Sequence, residues 1–441
     1  MRNFFPLWGA FLLVCLYSSC AQHTHRQPTA FDGALWVAIG NQGPYPNYWY
    51  NLANEYNNAG EITLAIDAYR RCLDDCQNQA ICNDACYNLS LLCFEQQLTD
   101  SGYLLMDTLL ARQYTWLQWY ANQKQLAVFE TPAYQKRLMQ IKTLVDKRQD
   151  PENARFVYED VDRFVSLFPI LQQNWQEAPY LLQTRYFDQG SPALLYYQKF
   201  KMQSGPFLFA LRLQQRQAYF AQSLPLLRDI RQQEANIRAS FHRFDSLYPA
   251  AIFPDVYYAV GCFNAGGTSS PQGLIIGAEM YCLQPNSPLA NFSSWERAVA
   301  APPQQLPLIV AHELVHMQQK GKYDNLQEQA IFEGMADFVT ELVTGSHINR
   351  HVHAWVAAEA GREDSVWQVF TQEMEGKNAH RWIGNADRAQ NGPADLGYFV
   401  GYQLVAAIYR DAADKKEALR LLLESTDYAA LYQQSSYRGK R

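Results

Sequence analysis

The sequence has little charge and no concentrated basic segment. Charged residues make up 18% of its 441 residues, whereas about 25% is usual in soluble proteins. The formal net charge is −6, and a nucleic-acid binder, which needs a concentrated basic surface, is therefore excluded. The few basic residues at the end of the chain predict only a solvated basic tail over 431–441. Hydrophobic residues reach 48%, which excludes a disordered chain and allows a sizeable core.

Long apolar runs are missing beyond the first twenty residues. Residues 1–20 carry one positive charge, then an apolar run too short for the roughly 20 residues of a spanning helix, then small residues before Cys20. This pattern predicts a signal peptide. The Ser18-Ser19-Cys20 ending resembles a bacterial lipobox with Cys20 as the lipidated residue; ordinary cleavage after Ala21 is the alternative. We expect an exported cell-envelope protein, an outer-membrane lipoprotein facing periplasm or surface, with membrane contact only through its lipid anchor.

Cysteine is scarce, and five of the nine cysteines are concentrated between residues 72 and 93. In an exported protein this spacing favours disulfides within a helical hairpin, while a four-thiolate zinc site is the alternative. Two later cysteines each follow a strand-like run and suggest a further bridge. Cys93 is left as a buried small hydrophobe. The predicted bridges are Cys72–Cys86, Cys76–Cys82 and Cys262–Cys282.

The chain after the signal peptide divides into a tether and two larger parts. Residues 21–45 are rich in Gln, His, Pro, Gly and Asn and predict the tether. Residues 46–150 predict a short helical region, because one segment has the large and small residues of a tetratricopeptide repeat. Fewer than three repeats indicate an accessory helical cap that can bind a protein partner. The repeat-like positions are Trp49, Leu52, Ala53, Tyr56, Gly60, Ala65, Tyr69 and Cys72.

The second part, residues 151–430, predicts a predominantly α-helical α+β domain. Amphipathic spacing indicates helices over 156–173, 191–201, 206–222 and 223–247. Runs rich in β-branched and aromatic residues at 256–263 and 273–282 predict strands of a small β-sheet. Helical spacing resumes after Leu306.

A HExxH motif lies on the next predicted helix, over 307–321. His312 and His316 are four residues apart, so a helix projects both from one face, as two imidazoles that share a Zn²⁺ ion require. Glu313 beside them is placed to take a proton from the attacking water and pass it to the leaving amine. Two surface histidines on an amphipathic helix are the alternative, but with only nine histidines in the chain a chance HExxH is rare.

A third protein ligand is predicted on the following helix, over 325–345 and closed by Gly345. The metzincin pattern is absent, because Gln319 and Lys322 stand where Gly and His would be. Glu333 is the candidate ligand, and Asp337, four residues later, would accept the N–H of a ligating histidine. A solvated acidic edge is the alternative for this carboxylate pair.

The HExxH, Glu333 and Asp337 set resembles the gluzincin clan of zinc peptidases. More narrowly, the chain is similar to a family of predicted Zn-dependent peptidases to which gliding-motility lipoproteins are related. The resemblance covers roughly 155–425 and rests on the motifs FPDVYYAVGCFNAGGTSSPQGLIIGAEM, HELVHMQQ, FEGMADF and GYFVGYQLV. It implies a zincin-like metallopeptidase domain, and that the strand around Leu274 to Met280 is an edge strand along which a peptide substrate would pair. An ordinary core strand is the alternative.

The same resemblance draws attention to two tyrosines that share a helix face, Tyr398 and Tyr402. A metallopeptidase needs a donor for the oxyanion, and these are the candidates, with core packing as the alternative and His380 as a further possibility. Gly397 and Gly401 would let this helix approach a neighbour closely. His347, His351 and His353 are predicted on the surface.

The leading hypothesis is a zinc peptidase that acts on a peptide or protein substrate, with Zn²⁺ as cofactor and Glu313 as general base. The alternative is a catalytically silent envelope lipoprotein that uses a zinc-stabilised fold as a protein-binding scaffold. A zinc hydrolase acting on bonds other than peptides is a third hypothesis.

Overall fold

The computed structural model describes residues 48–74, 76, 78–114, 126–202, 205–385, 389 and 392–439. The predicted signal peptide, the tether, Cys20 and residues 440–441 of the basic tail lie outside these ranges. Residues Trp49–Arg441 belong to one compact unit. Within the described part, no helix combines the length and apolarity that crossing a membrane requires.

The described part of the N-terminal region contains five α-helices. The first two form a helical hairpin around Gly60, whose φ of +77° suits glycine, and Ala53, Ala65 and Tyr69 are buried between them. This hairpin agrees with the spacing of repeat-like residues. The helices are α1 (Tyr48–Asn58), α2 (Ile62–Asp74), α3 (Gln79–Glu95), α4 (Thr99–Ala111) and α5 (Pro132–Asp146).

The cysteines form one of the three predicted bridges. Cys76 and Cys82 are joined by a disulfide, whereas the predicted Cys72–Cys86 bridge is wrong, because both thiols are free and buried. Cys72 packs with the core between α2 and α3, while the Cys86 thiol faces α4 and contacts the Leu105 carbonyl at 3.5 Å. The Cys72 thiol on α2 and the Cys86 thiol on α3 therefore point into different parts of the core.

The predicted Cys262–Cys282 bridge is also wrong. Both thiols are free and buried. The chain leaves the sheet after Gly277 and forms a short 3₁₀ turn over Ala278–Tyr281. Cys282 therefore stands at the end of that turn rather than on a strand, where its Sγ contacts the Ala278 carbonyl oxygen at 3.5 Å. Cys93 is buried, as expected of a small hydrophobe.

The C-terminal region is mainly helical, so the predicted predominantly α-helical α+β fold class is confirmed. Short π-helical turns follow two of the helices, over Gln183–Phe187 and Gln198–Met202. The helices are α6 (Glu159–Gln173), α7 (Ala178–Leu182), α8 (Pro192–Tyr197), α9 (Pro206–Gln215), α10 (Gln217–Asp229), α11 (Glu234–Leu247), α12 (Ser294–Val299), α13 (Leu306–Gln318), α14 (Leu326–Thr344), α15 (Arg350–Ala357), α16 (Arg362–Glu373), α17 (Leu396–Asp411), α18 (Lys415–Glu424) and α19 (Tyr428–Gln434).

A mixed four-stranded sheet lies within this region, in the order β1-β2-β4-β3. Strands β1 and β2 and strands β2 and β4 pair in parallel, and β3 pairs antiparallel with β4, with Gly267 opposite Ile276. The prediction of an edge strand around Leu274 to Met280 is wrong, because β4 is paired on both sides and fully buried. The strands are β1 (Phe156–Val157), β2 (Val256–Ala259), β3 (Gly267–Ser269) and β4 (Leu274–Gly277).

The N-terminal and C-terminal regions have separate apolar cores and meet at a buried lysine. The cores of the helical region end at Ile141, and the main core begins at Ala154. Lys199 extends from the C-terminal region, with its Nζ 3.1 Å from the Tyr50 ring centre and 3.6 Å from Asp84 Oδ2. The predicted domain boundary near 150 remains a prediction, because both regions belong to the same compact unit.

Helices α14 and α17 cross with their backbones in contact. A Cβ atom on Gly334 would overlap the backbone of Gly401 and Tyr402, and one on Gly401 would overlap the Ala330 carbonyl. The close approach predicted for Gly401 is therefore present. Gly397 instead packs against Ile383 in the preceding segment. The crossing places side chains of α14 and α17 on the same side of the core, which builds the site described next.

Candidate metal centre

Helix α13 carries the HExxH motif through the core of the C-terminal region. Pro307 lies in its first turn, where a missing N–H costs nothing, and the helix ends at Gln318. His312 and Glu313 are buried, with exposed fractions of 6% and 9%. The four-residue spacing brings the Nε2 atoms of His312 and His316 to 3.0 Å from each other. Both histidines therefore aim at one point, as the motif predicts.

Helix α14 supplies a carboxylate to the same point. Asn325 caps its first turn by accepting the Glu328 N–H, and Gly345 ends it in a left-handed conformation, as predicted. Glu333 Oε2 lies 3.5 Å from His312 Nε2 and 3.4 Å from His316 Nε2. These three residues form a group of potential ligands whose donor atoms lie close together.

The three donor atoms fit a tetrahedral zinc ion. Zn²⁺ bonds of about 2.0–2.1 Å place tetrahedral ligand atoms roughly 3.3 Å apart, and the three separations lie around that value. Neutral imidazoles would also direct two lone pairs at each other at 3.0 Å, an arrangement that a shared cation stabilises. A tetrahedral ion would keep a fourth position for water or substrate.

The other ring nitrogen of each histidine is held by a buried polar side chain. His312 Nδ1 lies 3.0 Å from Asp337 Oδ1, close but not aligned as a linear hydrogen bond. His316 Nδ1 lies 2.6 Å from the side-chain oxygen of Gln319, whose amide group donates to the Phe332 carbonyl. Since that amide oxygen only accepts, the His316 proton sits on Nδ1 and its Nε2 lone pair faces the site.

Sequence reasoning predicted the Asp337 contact and missed Gln319 and Asn349. Asn349 donates to the second carboxylate oxygen of Asp337 at 2.7 Å. Gln319 was used only to exclude the metzincin pattern. Its signal was available in the sequence, because a residue three positions after His316 is a neighbour of that side chain at helical spacing. No comparable signal marks Asn349, which follows the end of α14.

The charges around the site favour a cation. Burial alone lowers the pKa of His312, but the carboxylates of Asp337 and Glu333 outweigh burial and raise it to about 10. Burial alone raises the pKa of Glu333, but His316 and His312 hold it well below its usual range. The cluster therefore keeps Glu333 ionised and stabilises positive charge beside it.

The Glu313 side chain lies against a strand. A Cβ atom on Gly267 of β3 would lie 2.5 Å from Glu313 Cγ and 2.8 Å from its Oε1. Strand β3 is the outer strand of the sheet and pairs with β4 alone among the described strands. The predicted general base therefore lies against the true edge strand, which sequence reasoning placed in a loop.

The two candidate tyrosines of α17 take different places. The Tyr398 ring stacks on His312 with centres 6.2 Å apart, and its hydroxyl is within hydrogen-bonding reach of Glu333. Burial and the Glu333 charge raise its pKa well above the usual value, so it stays a donor. The Tyr402 hydroxyl donates to Glu341 at 2.5 Å, so the structure does not bring it to the metal centre. His380 is exposed.

A second histidine cluster lies one turn further along α17. The ring centres of His347 and His353 lie 3.9 Å apart with the ring planes tilted by 58°, and both rings pack against Tyr402. The Nε2 atoms of both are buried without a hydrogen-bond partner. His347 and His353 are therefore half-buried rather than freely exposed as predicted, whereas His351 is exposed.

The fold and the site define a predominantly helical α+β protein with a candidate three-ligand metal centre. Residues 147–439 match the family model described as Gliding motility protein GldB, whose short name marks its members as lipoproteins. The match covers more than half of the chain, which therefore belongs to this family. The expected relation to gliding-motility lipoproteins is confirmed, and membership agrees with a cell-envelope location. No curated protein and no solved structure matches the chain.

Proposed function

We propose that the chain is a zinc-dependent peptidase of the gluzincin type. The observation that carries the proposal is the convergence of His312 Nε2, His316 Nε2 and Glu333 Oε2 within 3.0–3.5 Å. Glu313, which a purely structural metal site does not need, stands beside them on α13. A bound Zn²⁺ ion would act as a Lewis acid that polarises the scissile carbonyl and makes water more acidic.

The protein groups around this point have separate roles in the proposed reaction. Glu313 accepts the proton of the attacking water and returns it to the leaving amine. Tyr398 donates a hydrogen bond to the oxyanion, since its high pKa keeps it protonated. The free edge of β3 pairs with an extended substrate, which then passes in front of Glu313. Asp337 and Gln319 keep the two imidazoles oriented.

Metal content and peptide cleavage test this proposal. The mature chain is purified with trace zinc, its metal is measured by mass spectrometry, and it is incubated with a peptide library. We expect about one zinc ion per chain and cleavage that is lost in Glu313→Gln while zinc is retained. A wild-type chain with bound zinc that cleaves no peptide would contradict the peptidase proposal. Turnover by Glu313→Gln equal to wild type would contradict the assigned base.

A second function is favoured by the family description, which names motility rather than hydrolysis. In this proposal the chain is an envelope lipoprotein that serves gliding motility as a scaffold, and the zinc ion only stabilises its fold. The five N-terminal helices would then bind a protein partner. A gliding strain carrying Glu313→Gln separates the two functions: normal motility supports the scaffold, and lost motility with normal protein level supports the peptidase.

A further inference from the structure

The contact between β3 and α13 assigns a role to a residue without a side chain. We propose that Gly267 is a positioning residue: its missing side chain leaves the space in which the Glu313 carboxylate lies against the edge strand. The catalytic part of this role rests on the proposed function. The steric part does not, because it concerns only how the two residues share space.

The space is too small for any other residue. A Cβ atom at position 267 would lie 2.5 Å from Glu313 Cγ, 2.8 Å from its Oε1 and 3.0 Å from its Cδ. Carbon atoms in contact are normally about 3.5–4.0 Å apart, so Glu313 would have to move by roughly 1 Å. Since these three atoms include the carboxyl group itself, the reactive end of Glu313 cannot keep its place.

The backbone of Gly267 does not require glycine. Gly267 is not among the glycines with a positive φ, and its extended pairing with Ile276 can be adopted by any residue. The requirement for glycine therefore comes from the side-chain volume that Glu313 occupies. A glycine kept for close approach differs from one kept for a turn, because its substitution moves the neighbour and not the strand.

The surroundings of Glu313 make a sideways escape costly. Glu313 is only 9% exposed. At the preceding residue, a Cβ atom on Gly266 would lie 2.6 Å from the hydroxyl of Tyr281, a buried side chain that is close enough to sense the Glu313 charge. Strand β3 itself is anchored, because β4 pairs with it along its length. A side chain at 267 would thus push Glu313 rather than the strand.

A thermal double-mutant cycle tests the steric part without any need for activity. Gly267→Ala, Glu313→Ala and the double variant are made in the full mature chain, and Tm is measured for each. We expect Gly267→Ala to lower Tm by about 2–5 °C alone and by less than half as much in the Glu313→Ala background. Ser269→Ala, on the same strand face, should be additive with Glu313→Ala. The proposal would be overturned if the Tm effects of Gly267→Ala and Glu313→Ala were also additive.

Zinc affinity and turnover test the catalytic part. Zinc affinity of Gly267→Ala should stay within about 3-fold of wild type in competition with a chelator, because the ligands are untouched. Its kcat on a cleaved library peptide should fall about 100-fold with little change in KM. If kcat is unchanged while the Tm effects of the two substitutions are non-additive, Gly267 has no catalytic role. If the wild-type chain is inactive while the Tm effects are non-additive, the steric role stands and the peptidase proposal fails.

Discussion

Two histidine clusters in this protein have nearly the same composition and opposite electrostatics. Each combines two histidines with a glutamate of α14 and a tyrosine of α17, and the two tyrosines stand one helical turn apart. In the metal centre, the His312 pKa is raised to about 10. In the second cluster, burial and the neighbouring His347 and His351 lower the His353 pKa to about 3. One cluster favours a cation and the other rejects one.

The difference comes from the direction of the donor atoms. In the metal centre, Glu333 Oε2 faces both imidazoles, and Asp337 adds a second carboxylate behind His312. In the second cluster, Glu341 Oε2 is 3.9 Å from His347 Nε2 and accepts the Tyr402 hydroxyl instead. Residue types alone therefore do not define a metal site. A site requires convergent lone pairs and polar groups that hold the far side of each ring.

Both clusters depend on the crossing of α14 and α17, and breaking that crossing should have the largest effect. Gly401→Ala places a Cβ in the Ala330 carbonyl, so we expect a loss of about 3 kcal/mol in unfolding free energy. Urea unfolding checks this. Gln403→Ala, on the same helix, is the control and should cost less than about 0.5 kcal/mol. Equal stability of the two variants would show that the helices can separate freely.

Removing the glutamate from each cluster should separate them by metal affinity. Glu333→Ala should weaken zinc binding by more than about 100-fold, because a ligand is lost, whereas removal of an outer partner costs 10–100-fold. Glu341→Ala should leave the affinity within a few-fold of wild type. Competition with a zinc-sensitive dye measures both. A comparable loss in both variants would show that the second cluster also takes part in zinc binding.

Two adjacent buried glutamines, Gln318 and Gln319, offer a matched test of what orients the His316 imidazole. Gln319→Leu should weaken zinc binding about 10-fold, because His316 loses the acceptor that fixes its tautomer. Gln318→Leu should destabilise the fold without that loss of affinity, since Gln318 bonds the backbone of Ile252 and Leu314. Isothermal titration with Zn²⁺ compares them. The assignment of Gln319 fails if both variants bind zinc like wild type.

The smallest expected effect is a pH dependence from the second cluster. The His353 pKa is about 3 in the fold, against roughly 6.5 when unfolded. Between these values the unfolded chain binds the extra proton, so stability is lost as pH falls below about 6.5. His353→Phe should reduce the drop in Tm between pH 7 and pH 5 by a few degrees at most. His351→Phe removes only one of the neighbouring charges that lower the His353 pKa, so it should reduce that drop by less than His353→Phe does. An identical profile for all three proteins would refute the argument.

The sequence was sufficient for the helices and for the convergence of the candidate ligands, but not for the surroundings of the site. The four-residue spacing of His312 and His316, the caps of α14 and the pair Glu333 and Asp337 are local patterns, and local patterns survive folding. Strand β3 is short and glycine-rich, so it reads as a loop, and its place at the edge depends on pairing with β4. Periodicity carries no record of which strand lies at the edge of a sheet.

The wrong disulfides and the misplaced histidines have similar causes. Cys72 and Cys86 have suitable spacing in sequence, but the orientation of α3 directs Cys86 toward α4. His347 and His353 flank the start of α15 and look exposed, but the return of α17 covers them with Tyr402. In both cases a third element decides which face of a helix is covered.

The crossing of α14 and α17 at Gly334 and Gly401 also fixes the distance between the two helices. Side chains can exchange rotamers and so adjust the gap between helices, but two backbones in direct contact have no such adjustment. The distance between Glu333 and Tyr398 is therefore set by main-chain thickness. Side chains on the same face of α17 recur about every 5.4 Å, the rise of one turn, so no other residue of the helix can take the place of Tyr398 without a shift of that size. The spacing in the candidate metal centre is therefore rigid: it is kept when the two helices are in contact and lost when they separate.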